Sequence, residues 1–143
     1  MGRSSKSKRQ RHAKGRFVQL PEWILKTEAW RNLSLPSRCL YIELKRRYVG
    51  NNNGSIRLSY RECENLLGLH RNSVGQRFVE LQKMGFITKT SEPYLGPSGI
   101  GQTANWLLEE YVDDRTGHRA GKRFMTIKMK TPHKISDTAS QDL

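Results

Sequence analysis

Two short helix signals that meet at a glycine constrain the fold more than any other feature of this sequence. Ser59 and Glu62 have the spacing of a capping box, in which each side chain accepts a hydrogen bond from the backbone N–H of the other. The helix that begins there is stopped by Gly68, since glycine readily adopts the left-handed conformation that ends helices. His70 then stands at a capping position for a second helix. The pattern predicts two helices joined by a tight turn.

The second helix, residues 70–84, has one apolar and one polar face. Val74, Phe78 and Leu81 recur at helical spacing and form the apolar face. Polar side chains occupy the opposite face and the N-terminal edge; they are Arg71, Asn72, Ser73, Gln76 and Lys83. A helix with this pattern fits the major groove of DNA, where base edges carry a distinct donor and acceptor code. Gly75 lies in mid-helix, at a cost of about 1 kcal/mol relative to alanine. A close approach of DNA and a structural accident are equally good explanations for it.

Helices and strands are predicted on both sides of this pair. Apolar spacing predicts one helix from Pro21 to Leu33 and another between Ser34 and Gly50. Alternation predicts short strands over 55–59, 86–90 and 103–109, the last two forming a hairpin. The Gly- and Pro-rich residues 91–102 are predicted to form a long loop at its tip.

Two segments of the chain carry a resemblance to a known family. They are LSYRECENLLGLHRNSV (58–74) and LQKMGFI (81–87). They resemble the winged helix-turn-helix DNA-binding proteins of bacteria. The longer stretch 17–111 is similar to winged-helix domains of plasmid and mobile-element proteins, including replication initiators and small regulators. The resemblance implies an α+β fold, with helices followed by a two- to three-stranded wing, and DNA contact through the second helix.

The chain departs from that family at three places. Glu64 stands where the family usually has alanine, and Arg77 stands where it has a small or apolar residue. Both sites lie near the helix crossing, so we predict an ion pair between them and a partly structural role for Arg77. Wings of the family often place Arg or Lys in the minor groove, whereas residues 96–102 contain neither.

Positive charge is concentrated at the N-terminus. The chain has a formal net charge of +13, and residues 1–16 hold seven basic and no acidic side chains. Such a segment cannot bury enough apolar surface to fold alone, so it is predicted to be disordered. The favoured interpretation is an arm that contacts phosphates, and the alternatives are a solubilising tail and a nuclear-import or membrane-surface segment. Six further candidate DNA-contacting residues lie outside the second helix. The arm supplies Arg9, Arg11, Lys14 and Arg16, and the start of the first helix of the pair supplies Ser59 and Arg61. Arg77, within the second helix, is also a candidate.

Other classes of function find little support in the sequence. The GPSGIGQT segment (96–103) lacks the lysine of a phosphate-binding loop and precedes a predicted strand instead of a helix. The histidines and cysteines show no metal-ligand spacing, and Cys63 is expected to be a buried, inert thiol. Trp23, Trp30 and Trp106 are expected to pack in the core or hairpin. We predict no catalytic residues, cofactor or metal.

We predict three regions: a disordered arm (1–16), a winged helix-turn-helix domain (17–112) and a partly disordered extension (113–143). Residues 122–130 of the extension are open to three interpretations, as an added strand, a homodimer contact or a basic extension. With no secretory signal and no membrane span, the expected location is cytoplasmic, at the nucleoid.

The expected function is sequence-specific binding of double-stranded DNA, in transcription regulation. The alternatives are replication or maintenance of a plasmid or integrative element, a basic RNA- or ribosome-associated protein, and a protein-binding adaptor.

Overall fold

The computed structural model describes residues 15–99 and 101–129. Five α-helices lie in this part of the chain: α1 (Glu22–Leu25), α2 (Glu28–Arg31), α3 (Leu35–Arg47), α4 (Tyr60–Leu67) and α5 (Arg71–Lys83). Five short strands accompany them: β1 (Ile56–Arg57), β2 (Ile87–Ser91), β3 (Tyr94–Leu95), β4 (Gly101–Gln102) and β5 (Asn105–Leu108). The expected α+β class is confirmed, and the order of the elements is compatible with a winged helix.

The strands form two small antiparallel sheets. The larger one has the order β1-β5-β2, so its central strand is the last of the three in the chain. Its pairs include Ile87 with Leu108 and Ile56 with Trp106, and all four side chains are buried. The prediction of a long loop over residues 91–102 was wrong in part, because β3 and β4 pair with each other there.

The local signals around α4 and α5 have the predicted geometry. Ser59 and Glu62 form both halves of the capping box, and Gly68 ends α4 with a left-handed φ of 63°. The Nδ1 atom of His70 accepts the backbone N–H of Asn72 at 3.3 Å, and α5 begins there. These hydrogen bonds satisfy backbone groups that the ends of a helix leave free.

The single helix predicted from Pro21 to Leu33 is instead two one-turn helices. Thr27 lies between them in an extended conformation, and its hydroxyl accepts the backbone N–H of Trp30 at 3.1 Å. The same hydroxyl donates to the carbonyl oxygen of Ile24 at 2.7 Å. Threonine competes with the helix for its own backbone groups in this way, and the competition divides the helix.

The C-terminal part of the described chain returns to the core. Phe124 is fully buried and stacks on Phe86 with ring centroids 4.8 Å apart. Its backbone N–H donates to the carbonyl oxygen of Gly85, where a Cβ atom would come within 2.6 Å of the Phe124 nitrogen. The packed region therefore extends past the predicted boundary at residue 112. Residues 123–125 form a turn of 3-10 helix, so the added-strand interpretation is wrong for them.

Two buried polar groups connect distant parts of the domain. Lys45 of α3 forms an ion pair with Glu110 at 2.7 Å, and both side chains are almost fully buried. The buried Asn53 Nδ2 atom donates to the carbonyl oxygens of Leu108, the last residue of β5, and of Val112, both at 2.9 Å, and lies 3.3 Å from that of Tyr111. Its Oδ1 atom accepts the N–H of Leu108 at 2.7 Å. These contacts hold the loop before β1 against the end of the sheet.

Candidate nucleic-acid interface

The orientation of α5 is fixed by its apolar face. Val74, Phe78 and Leu81 are almost fully buried, as their spacing predicts. The predicted base-reading side chains lie on the other side of the helix. Arg71, Asn72, Gln76 and Lys83 are exposed, and Ser73 is half-buried. The structure thus brings four of these five predicted residues to one solvent-facing surface, which we call the α5 face.

Arg77 does not belong to the freely exposed part of that surface. Its Nη1 atom donates to the Ser34 hydroxyl at 2.7 Å and to the Glu80 carboxylate at 3.0 Å. The predicted pair between Glu64 and Arg77 is therefore wrong. Glu80 follows one turn later on the same helix, and Ser34 caps the neighbouring α3, so both are closer partners than a residue on α4. Arg77 connects α5 to the start of α3.

Glu80 is the centre of this connection. Its carboxylate accepts the backbone N–H of Ser34 at 2.7 Å and its hydroxyl at 2.8 Å, together with the hydroxyl of the fully buried Ser37. Burial alone would raise the pKa of Glu80, but these hydrogen bonds and the charge of Arg77 outweigh it and lower that pKa. The ionised carboxylate thus holds the N-terminus of α3 against the middle of α5.

A groove runs along the α5 face beside Tyr60. The Tyr60 ring stacks on Phe78 with centroids 5.2 Å apart, and it also covers Gly75. A Cβ atom built on Gly75 would lie 3.4 Å from the Tyr60 ring, which is an ordinary contact distance. Sequence reasoning missed Tyr60 as part of this surface. The mid-helix glycine is no signal for it, because the Tyr60 ring leaves room for a Cβ atom at residue 75.

Ser59, which caps α4, and Arg61, which lies in its first turn, differ in whether their side chains are available to a ligand. The Ser59 hydroxyl takes part in the capping box, where it accepts the N–H of Glu62 at 3.1 Å. Hydrogen bonds from Ser59 also lower the pKa of Glu62, so the carboxylate of the cap stays ionised to a lower pH than an ordinary glutamate. Arg61 is exposed next to this cap. Of the two, Arg61 is thus the side chain available to a ligand.

The predicted N-terminal arm is described only at its end. Arg9, Arg11 and Lys14 lie outside the described residues. Arg16 is exposed and donates to the carbonyl oxygen of Arg46, near the end of α3, at 3.2 Å. The chain therefore enters the domain beside the C-terminal turn of α3.

The hairpin tip has a different chemistry from the α5 face. Tyr94 is 56% exposed and Leu95 is 71% exposed, on the two-stranded ladder formed by β3 and β4. The acidic Glu92 precedes this ladder and contacts Lys89 at 3.3 Å. Two apolar side chains are thus exposed on this ladder, and residues 91–99 and 101–102 include no basic side chain.

Burial of Cys63 and of two of the three tryptophans follows the sequence prediction, whereas Trp23 is 41% exposed. Cys63 is 1% exposed, and burial raises the pKa of its thiol to about 12. Trp30 and Trp106 are buried, while the partly exposed Trp23 stacks on Phe124. Within residues 15–99 and 101–129, no group of three or more His, Cys, Asp or Glu side chains is arranged to hold a metal ion. None of the helices described is long and apolar enough to cross a membrane.

Comparison of the chain with models of protein families, with curated proteins and with solved structures gives no match.

Proposed function

We propose that this chain binds double-stranded DNA in a sequence-specific manner and regulates transcription. In this proposal the domain is a winged helix-turn-helix, α5 lies in the major groove, and the basic N-terminal arm contacts phosphates. The observation that carries the proposal is the α5 face, which combines exposed donors and acceptors with a rigid attachment to the core.

The side chains of the α5 face are of the types that discriminate between bases. The amides of Asn72 and Gln76 can each pair with the N6 and N7 atoms of adenine. Arg71 and Lys83 can donate to the O6 and N7 atoms of guanine or to phosphates. A helix of 13 residues is about 20 Å long, so one end can reach bases while the other crosses the backbone.

The attachment of α5 supports reading of a defined sequence. Its apolar face packs in the core, and Glu80 and Arg77 hold its middle against the start of α3. Base discrimination requires side chains on a rigid element, because a helix that shifts by an ångström loses bidentate geometry. Arg61 lies at the start of the preceding helix, where this motif class meets the DNA backbone.

Selection from a pool of random duplexes with the full chain tests the proposal. We expect a defined motif to be enriched, and we expect RNA of equal length to compete poorly against it. A palindromic motif would indicate that two copies bind together. Recovery of duplexes without any shared motif, or preferential competition by RNA, would contradict sequence-specific DNA binding.

A further inference from the structure

A second groove lies away from the α5 face. It has a volume of about 880 Å³ and is formed by residues 15–19, residues 45–50, Leu66 of α4 and Tyr111 after β5. It shares no lining residue with the groove along α5. We call it the entry groove, because the chain enters the domain along it. A ligand held there would leave the α5 face free.

Exposed apolar side chains line the entry groove. Phe17 is 84% exposed, Val49 is 59% exposed and Leu66 is 47% exposed. Tyr48 and Tyr111 stack beside them with ring centroids 4.4 Å apart. Single apolar side chains on a surface are ordinary, but several that share one concave surface are typical of a binding site.

The charged side chains of the same groove are all basic. Arg16, Arg46 and Arg47 line it, and none of its described lining residues is acidic. The guanidinium of Arg16 donates to a backbone carbonyl, which leaves its charge uncompensated by that contact. Arg46 and Arg47 share the carboxylate of Glu43, and Arg47 also lies 3.8 Å from Glu62. The three arginines stand against two neighbouring carboxylates, those of Glu43 and Glu62, so positive charge remains in excess at the groove.

We propose that the entry groove binds an acidic peptide segment of a protein partner. One large apolar side chain of that segment packs against Val49, Leu66 and the stacked tyrosines, and neighbouring carboxylates pair with Arg16 and Arg46. Lys45 takes no part, since its charge is already paired with the buried Glu110. This inference goes beyond the proposed DNA binding and does not depend on it.

The apolar side chains favour a peptide over nucleic acid as the occupant. A DNA or RNA backbone would satisfy the arginines, but it would not cover Phe17, Val49 and Leu66 with apolar surface. Protein interfaces typically combine apolar side chains with polar and charged ones, and the entry groove offers both. If nucleic acid bound at this site, variants of the groove would lose affinity for DNA.

The probe is a short fluorescein-labelled peptide in which leucines alternate with aspartates, measured against the full chain by fluorescence anisotropy. Two companion peptides replace either the leucines by serine or the aspartates by lysine. The basic residues 1–14 attract any acidic peptide, so the serine peptide measures that background at equal charge. We expect the leucine–aspartate peptide to bind at least about tenfold more tightly than either companion.

Variants of the groove locate the binding. We expect Val49→Ser and Arg46→Gln each to lower the affinity for the leucine–aspartate peptide by about tenfold. Leu35→Ser and Arg31→Gln are the matched controls, since both residues are exposed and lie outside the groove. We expect them to change affinity by less than about twofold.

Each of the following results would overturn the proposal. The first is equal binding of the serine peptide, which would assign the interaction to the basic arm. The second is equal affinity of groove and control variants, or no binding up to about 1 mM peptide. The third is a groove variant that weakens DNA binding and leaves peptide binding unchanged, which would make the surface a nucleic-acid contact.

Discussion

Replacement of Glu80 by alanine is expected to destabilise the domain by about 2–3 kcal/mol. The carboxylate accepts hydrogen bonds from Ser34, Ser37 and Arg77, and it is about three-quarters buried. Individual hydrogen bonds to a charged group are each worth about 1.5–3 kcal/mol, but the four contacts share one side chain and are not additive. The remaining exposure to solvent reduces the sum further.

Urea unfolding, monitored by tryptophan fluorescence, measures this effect. An unchanged slope of the unfolding free energy against urea concentration shows that the unfolded state is unaltered. Glu64→Ala is the matched control, because Glu64 forms no ion pair among the described residues. We expect it to change stability by less than about 0.5 kcal/mol. Equal losses for the two variants would refute the contacts assigned to Glu80 and Arg77.

The contribution of Glu80 also depends on pH. Its pKa is lower in the folded chain than its ordinary value of 4.5, so the folded state favours the ionised carboxylate. The stabilisation is therefore fully present above about pH 4.5 and is lost as the pH falls through the folded pKa. We expect the difference in unfolding free energy between wild type and Glu80→Gln to shrink from pH 7 towards pH 3. A difference that stays constant over this range would contradict the pKa direction.

Three further predictions concern the core, α5 and the arm. Asn53→Ala leaves the N–H of Leu108 and the carbonyl oxygens of Leu108 and Val112 without their Asn53 partner. We expect the free energy of unfolding in urea to fall by about 2–4 kcal/mol, and a fall of less than about 1 kcal/mol would contradict this network. Gly75→Ala fits beneath Tyr60, so we expect a gain of up to about 1 kcal/mol; a loss of stability would show that the contact is too close. Deletion of residues 1–14 removes six basic side chains, and we expect the log–log salt slope of DNA affinity to fall by about 2–4. Superimposable salt curves would exclude phosphate contacts by the arm.

Local signals in the sequence were sufficient to predict the helix pair. The capping box at Ser59, the left-handed Gly68 and the His70 cap each depend on neighbouring residues, so spacing alone predicts them. The burial of Val74 and Phe78 follows from the helical repeat in the same way. These elements orient the α5 face, and its exposed residues were predictable for that reason.

Contacts between distant residues were not predictable from the sequence. Phe124 packs on Phe86 although more than 35 residues separate them in the chain, and no local pattern in the sequence predicts that contact. The spacing of α4 and α5 alone places Arg77 near Glu64, but its partners are Glu80 on the same helix and Ser34, which caps α3. The division of the first helix at Thr27 depends on a hydroxyl that can either cap a helix or lie within one.

Alanine variants of Asn72 and Gln76 test base reading by α5 most directly. We expect each to weaken binding to a selected duplex by about 1–3 kcal/mol and binding to random DNA by less than about 0.5 kcal/mol. Asn51→Ala is the matched control, because Asn51 is an exposed asparagine in the turn before β1. We expect it to leave both affinities unchanged. Equal losses on selected and random duplexes, or no loss on either, would contradict the claim that the α5 face reads bases.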